Sequence, residues 1–388
     1  MIRTLLVTND YPPKVGGIQS YLHELWQRLD PTATAVLTAS SHPAAPGFDA
    51  DSAARGLRVE RVGSHTLYLP TRGAVAAIDA AIDEVQPSLV LYDPFVPLGL
   101  VGVRHDVPYG VVLHGAEVTV PVRLPIVRRL ARSVLGAATV VVSAGSYAED
   151  EARRLMGDAL APVVQVPPGV DVERFVPLDP RRRGAVRARF GLPATGPIVT
   201  SVGRLVPRKG LDVLIDAAAR CTTTIPDLTL VIAGGGRDAA RLRRRAVHAR
   251  ARVHFLGRID EGAKVDLLGV SDVFAQPCRS RWAGLEQEGF GIVFLEAAAC
   301  GVPQVAGRSG GSFEAVEDGS TGLVVDRPGD AASVASALSG LLGDAERRVA
   351  MGAAARVRAQ RDFDYDVLAR RLQDGLDAAM GEQRAARS

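Results

Sequence analysis

The sequence predicts an α/β chain of two Rossmann-like, doubly wound domains facing a cleft, and three observations carry that expectation. Short apolar runs rich in β-branched residues alternate with longer amphipathic stretches, the pattern of βαβ units feeding a parallel sheet. The alternation runs once as far as the Pro/Gly-rich Val166-Pro167-Pro168-Gly169, then starts afresh at Ile198. A length of 388 residues suffices for two or three domains, each with its own core.

Taken in order, the first series has strands at 3–8, 34–38, 58–62, 89–93, 110–114, 139–143 and 163–166, with helices at 17–29, 74–85 and 144–156 among them. The second has strands at 198–202, 229–233, 253–256, 273–276, 304–306 and 323–325, with helices at 211–221, 239–248, 261–269 and 292–300. From Asp330 onward the chain is Ala-rich and helical. The expected organisation is an N-terminal domain over 1–168, a C-terminal domain over 169–360, and a helical tail over 361–388 crossing back to the first domain. Ligands of such folds sit outside the carboxyl ends of the strands.

Composition narrows the classes. Hydrophobic residues are 47% and charged residues 23%, ordinary for a globular protein, and a net charge of +3 makes no case for nucleic acid. Cys221, Cys278 and Cys300 are odd in number and widely spaced, which fits reduced thiols in a cytosolic enzyme. The first strand begins almost at the initiator Met, so no signal peptide is expected. No apolar run approaches the ~20 residues of a spanning helix, so any membrane contact is expected to be peripheral. The Arg-rich pieces 181–189 and 237–252 have helical spacing and are expected to be solvated helix faces.

Three loops carry chemistry. The first, Asn9-Asp10-Tyr11-Pro12-Pro13-Lys14-Val15-Gly16-Gly17, is not a G-x-G-x-x-G fingerprint, which argues against a nicotinamide dehydrogenase. Gly16 and Gly17 at a helix entrance still let backbone amides approach an anion, although a plain turn would also use them. The second, Gly203-Arg204-Leu205-Val206-Pro207-Arg208-Lys209-Gly210, places Arg204 and Lys209 on a strand exit, where both can converge on one diphosphate. The third is Glu288-Gly289-Phe290-Gly291-Ile292-Val293-Phe294-Leu295-Glu296. If helical throughout, its two carboxylates stand ~12 Å apart, about the span from a hexose to a ribose across a pyrophosphate. The amides of Phe290, Gly291 and Ile292 would then face the phosphates. An unpaired Glu296 on so apolar a helix would be costly.

Together with Gly310-Gly311-Ser312, Glu314, Gly319 and Gly322-Leu323, these segments resemble, in order and over nearly the whole chain, the retaining glycosyltransferases of family four, which have the GT-B fold. The loop from Thr8 to Leu22 is similar to that of actinobacterial phosphatidylinositol mannoside mannosyltransferases. The resemblance implies GDP-mannose as donor, transfer with retention to the inositol 6-position of a phosphatidylinositol monomannoside, and no metal or other cofactor. It also implies a cytoplasmic enzyme held peripherally on the inner face of the plasma membrane. By the same resemblance Gly16 or Gly17 touches the donor phosphate, Arg204 and Lys209 the pyrophosphate, Glu288 the sugar and Glu296 the ribose. His114 matches the family's active-site histidine, and Asp260 stands where the base is read, although it also suits the N-cap of the following helix.

Other readings remain open at this point: a different nucleotide-sugar or acceptor, an epimerase or phosphorylase of the same architecture, and a nucleotide-sugar sensor without activity. Asp49-Ala50-Asp51 is the one metal-like Asp-x-Asp motif in the first half, and it is expected in an Ala/Gly/Pro-rich loop with no metal role. The segment 121–132 could present Ile126, Val127 and Leu130 as an apolar face beside Arg128, Arg129 and Arg132, as an interfacial helix does, or it could be an ordinary domain helix. The stretch 279–287 reads as an insert before Glu288 and offers Glu286 as a competing carboxylate.

Overall fold

The computed structural model describes residues 2–40, 42–115, 118, 124–282 and 286–387. The chain forms two compact units, Met1–Pro168 with Tyr365–Ser388, and Gly169–Asp364.

In the first unit β1 (Thr4–Thr8), β2 (Thr34–Ala39), β3 (Arg58–Val62), β4 (Leu89–Asp93), β5 (Tyr109–Leu113), β6 (Val140–Ser143) and β7 (Val163–Gln165) form one parallel sheet in the order β3-β2-β1-β4-β5-β6-β7. Successive side chains alternate between faces. Leu5 and Val7 join the core with Ile78 and Ile82 of α3 (Arg72–Val85) and Val134 and Leu135 of α4 (Pro125–Ala137). Leu6 joins the opposite core with Leu22 and Leu25 of α1 (Gly17–Trp26) and Leu368, Leu372 and Leu376 of α13 (Tyr365–Arg387). The strand order reverses between β1 and β4, so the loops leaving their carboxyl ends diverge and open a ligand position there.

The second unit repeats the plan. Its strands β8 (Ile198–Val202), β9 (Thr229–Ala233), β10 (Val253–Gly257), β11 (Val273–Gln276), β12 (Gln304–Gly307) and β13 (Gly322–Val325) run parallel in the order β10-β9-β8-β11-β12-β13. One core is closed by α7 (Leu211–Cys221), α8 (Ala239–Ala249) and α11 (Ala331–Leu342), the other by α9 (Glu261–Gly269) and α10 (Ile292–Ala299). The helix α12 (Ala345–Asp362) ends the unit, and α5 (Ser146–Met156) and α6 (Arg183–Arg189) complete the helices named here. Here the reversal falls between β8 and β11, which puts the Arg204–Lys209 loop at the equivalent place.

Two expectations are corrected. Asp49-Ala50-Asp51 lies not in a loop but in α2 (Ala45–Ala54), where Asp49 receives two bonds from Arg61, at 2.7 and 2.8 Å. Arg61 also donates to the Pro12 carbonyl at 2.7 Å, so this pair pins the loop that leaves β1. Among the arginines of 181–189, Arg187 is not solvated: it is buried and donates to the carbonyls of Pro193 and Gly196. The three cysteines are free and buried.

Candidate active site

In the first unit the carboxyl ends of β1, β4 and β5 bring Thr8, Asp93 and His114 together. Thr8 donates its hydroxyl to Asp93 Oδ2 at 2.7 Å and accepts the Asp10 amide at 2.9 Å. Asp93, only 2% exposed, is 3.0 Å through Oδ1 from His114 Nε2. A carboxylate can only accept, so His114 carries a proton on Nε2, and its tautomer and ring plane are fixed. The Tyr21 ring meets the imidazole edge-on at 5.7 Å and 85°, and its hydroxyl donates to the Val166 carbonyl at 2.7 Å. Asp93 and Tyr21 escaped the sequence reading. The signal for Asp93 was available, as the polar last residue of the otherwise apolar strand Leu-Val-Leu-Tyr-Asp. Ala116 and Glu117, which follow His114-Gly115, lie outside the described residues, as do residues 119–123.

Gly16 caps α1 and Gly17 opens it, with no side chain capping the first-turn amides. The loop before them is held at Asp10, whose Oδ1 accepts from Lys14 Nζ at 2.8 Å and from Gln19 Nε2 at 2.5 Å. The helix entrance is therefore both preformed and open to an acceptor.

In the second unit the structure brings Lys209 and Glu288 together but leaves Arg204 apart. Buried Lys209 donates to Gln276 Oε1 at 2.9 Å and stands 3.1 Å from Glu288 Oε1. Arg208, which the sequence reading passed over, stands 3.3 Å from Glu288 Oε2. Burial pushes the Glu288 carboxyl up, but Lys209 and Arg208 outweigh it and hold the group below its usual range. Arg204 is exposed, and among the described residues its guanidinium is in no ion pair. Arg208, Lys209, Arg237 and Arg281 against Glu286 and Glu288 leave a positive excess here, suited to a diphosphate.

Glu288 and Glu296 do not share a helix. The helix α10 begins only at Ile292, Gly291 before it sits at φ 90°, and Glu288 belongs to the preceding irregular stretch. That stretch passes close under Gly310, itself at φ 54°, where a Cβ would stand 2.1 Å from the Glu288 carbonyl oxygen, so only glycine fits. Phe290 turns its ring into the core, 6.0 Å from Phe363, leaving only its backbone for a ligand. Gly291 provides no side-chain cap for the Ile292 end of α10.

Glu296 is buried and paired: Lys264 Nζ of α9 lies 2.5 Å from its Oε1. Asp260 is the N-cap of α9, its Oδ1 accepting the Ala263 amide at 2.7 Å. In the insert, Arg281 and Glu286 form an antiparallel bridge, and the Glu286 carboxylate is 2.7 Å from Arg281, 3.4 Å from Arg237 and 3.9 Å from Arg208. Residues 283–285 of the insert lie outside the described residues.

Residues 15–174 match the Glycosyltransferase Family 4 family and residues 183–358 the family of glycosyl transferases group 1. The chain is 39% identical, over 96% of its length and 97% of the other, to the GDP-mannose-dependent alpha-(1-6)-phosphatidylinositol monomannoside mannosyltransferase of Mycolicibacterium smegmatis. It is 36% identical, over 97% of its length and 98% of the other, to the GDP-mannose-dependent monoacylated alpha-(1-6)-phosphatidylinositol monomannoside mannosyltransferase of Corynebacterium glutamicum. In fold it is similar to Anabaena HepE in complex with UDP and glucose, with a TM-score of 0.77, 22% identity and coverage of 97% of this chain and 100% of that one. The two parallel-sheet α/β units have the GT-B fold, and the family matches and relatives make the chain a glycosyltransferase. The chain belongs to glycosyltransferase family four.

Proposed function

We propose that this glycosyltransferase moves mannose, with retention, from GDP-mannose to the inositol 6-position of a phosphatidylinositol monomannoside. The observation that carries the reading is the full-length similarity to enzymes named for that reaction, at 39% identity for one and 36% for the other. The geometry supports it. As the glycosidic bond breaks, charge develops on the leaving diphosphate, and Arg204, Arg208, Lys209 and the open amides at Phe290–Ile292 are the groups to stabilise it. These residues take the place a metal ion has in other transferases, so the proposal includes turnover without one. Glu288, already ionised and held by two cations, accepts from hydroxyls of the sugar, and Glu296 from those of the ribose. His114, oriented by Asp93, is assigned to the transferred sugar, and Gly16 and Gly17 to the donor phosphate. Asp260 keeps a carboxylate at the α9 entrance for the base, one of its oxygens being used as the cap.

Among the described residues no helix is long and apolar enough to cross a membrane. We place the enzyme peripherally on the anionic cytoplasmic face of the plasma membrane, with α4 as the contact. Leu124 and Ile126 at its start are 60% and 77% exposed, and Arg128 and Arg129 beside them are exposed too. Val127 and Leu130 are half-buried and contribute less than the sequence suggested, while Arg132 is exposed and donates to the Leu155 carbonyl at 3.2 Å.

Calorimetry with GDP, UDP and ADP tests the donor: GDP should bind at least ~10-fold more tightly, a difference of ~1.4 kcal/mol. Equal affinity for UDP would overturn the guanine assignment and the mannose reading with it.

A further inference from the structure

The Lys264–Glu296 pair deepens the donor site and rests on the reading just given. Glu296 has core residues Leu295, Ala297 and Ala298 for neighbours on α10 and is itself buried. A carboxylate in such surroundings takes up a proton unless a cation is fixed beside it. Lys264 supplies that cation. Its ammonium donates to Glu296 Oε1 at 2.5 Å, reaches Glu261 Oε2 at 3.0 Å, and lies 5.2 Å from the centroid of the Phe175 ring. Three contacts confine a side chain that is otherwise four rotatable bonds of freedom, so the position of the charge is set by the fold.

The other groups facing the carboxylate come from separate elements. Arg174 approaches from the segment before α6 and pairs with Glu261 Oε2 at 3.2 Å. Cys300, at the end of α10, carries a thiol that burial pushes up to about 12, and Arg356 of α12 faces that thiol. Burial raises the Glu296 carboxyl, and it stays above its usual value even though Lys264 pulls it down. Burial pulls Lys264 itself down, but Glu296 and Glu261 together raise it.

A ribose presents two neighbouring hydroxyl donors. An ionised carboxylate accepts both, whereas a protonated acid has turned one oxygen into a donor. We propose that Lys264 is a positioning residue of the donor site: it keeps Glu296 ionised and in one rotamer, so that a nucleoside ribose meets a prepared anion. The effect is exerted through Glu296.

The test is calorimetric binding of GDP to the full chain between pH 6 and pH 9. It compares the parent with Lys264→Met, Lys264→Arg, Glu296→Gln and the Lys264→Met/Glu296→Gln double variant. Without its cation the Glu296 carboxyl should rise further, so Lys264→Met should bind GDP ~10-fold more weakly than the parent at pH 6, with the gap closing toward pH 9. The Lys264→Arg variant should stay within ~3-fold at every pH, and in the Glu296→Gln background Lys264→Met should add less than ~2-fold. A Lys264→Gln variant, which keeps a donor without charge, is read in the same way and serves should Lys264→Met fail to fold. Parent-like binding by the Lys264 variants, a pH-independent gap, or full additivity with Glu296→Gln would overturn the positioning role alone. If Glu296→Gln itself leaves GDP affinity unchanged, the ribose assignment falls and this inference falls with it.

Discussion

Glu288 sits between two cations, and the consequences are measurable at one residue. Glu288→Gln removes the group assigned to the sugar and leaves Lys209 and Arg208 facing a neutral amide. Its kcat should fall ~10²-fold or more while donor affinity changes little, because the lost interaction belongs to the reacting sugar. Glu296→Gln should raise the donor KM with kcat largely kept. Glu286→Gln should disturb turnover far less than Glu288→Gln, since Glu286 touches Arg208 only at 3.9 Å. Steady-state kinetics of the three variants decides this, and equal KM effects with intact kcat would contradict it. The same carboxylate has a pH signature. Its folded value lies below the ordinary glutamate range, so its contribution to stability is present above that range and is lost as pH falls through the lower folded value. The melting-temperature gap between the parent and Glu288→Gln should therefore be widest near neutrality and close in acid, below the ordinary carboxylate range. A gap unchanged in acid would mean Glu288 is not held by its cations. The carboxylates themselves were legible in the sequence as a spaced pair on an apolar background. Their partners were not: Arg208 is 80 residues from Glu288, Lys264 is 32 from Glu296, and Asp93 is 21 from His114. Contacts over such separations depend on sheet order, which local pattern does not carry.

Fully buried strands were legible as apolar runs, and β3, half-buried over most of its length, was bounded correctly as well. Strands such as β8, β9 and β11, covered on both faces, stand out as short apolar runs, and the expected and observed bounds coincide. The helix α2 was missed because its sequence, APGFDADSAA, buries only Ala45 and Ser52 and so shows no apolar stripe. The helix expected from Ile292 begins there, after Gly291 in the left-handed region, so Glu288 lies outside it and the ~12 Å helical span between the two carboxylates does not apply. At this scale α4 is the element under test. Replacing Arg128 and Arg129 together by Gln should weaken binding to anionic vesicles by ~1 kcal/mol per charge, with most of the difference vanishing at high salt. Turnover on detergent-dispersed acceptor should change far less. Vesicle sedimentation measures the binding, and parent-like sedimentation would make α4 an ordinary domain helix.

Across the whole molecule the same plan appears twice, a parallel sheet whose strand order reverses at its centre, with the ligand loops leaving that point. This repetition was legible from the restart of the strand series, and the loops proposed to hold the donor and the sugar follow β1, β5, β8 and β11. The proposal turns on fixed cations and amides, rather than a metal, driving mannosyl transfer to a lipid acceptor. The direct measurement supplies GDP-[¹⁴C]mannose and phosphatidylinositol monomannoside in mixed micelles, with excess EDTA, and follows label in the extracted lipid. The account predicts a labelled dimannosylated lipid at the rate seen without EDTA, and no labelled lipid from UDP-[¹⁴C]glucose. Transfer abolished by EDTA and restored by Mn²⁺, or label entering the lipid only from the UDP-sugar, would contradict it.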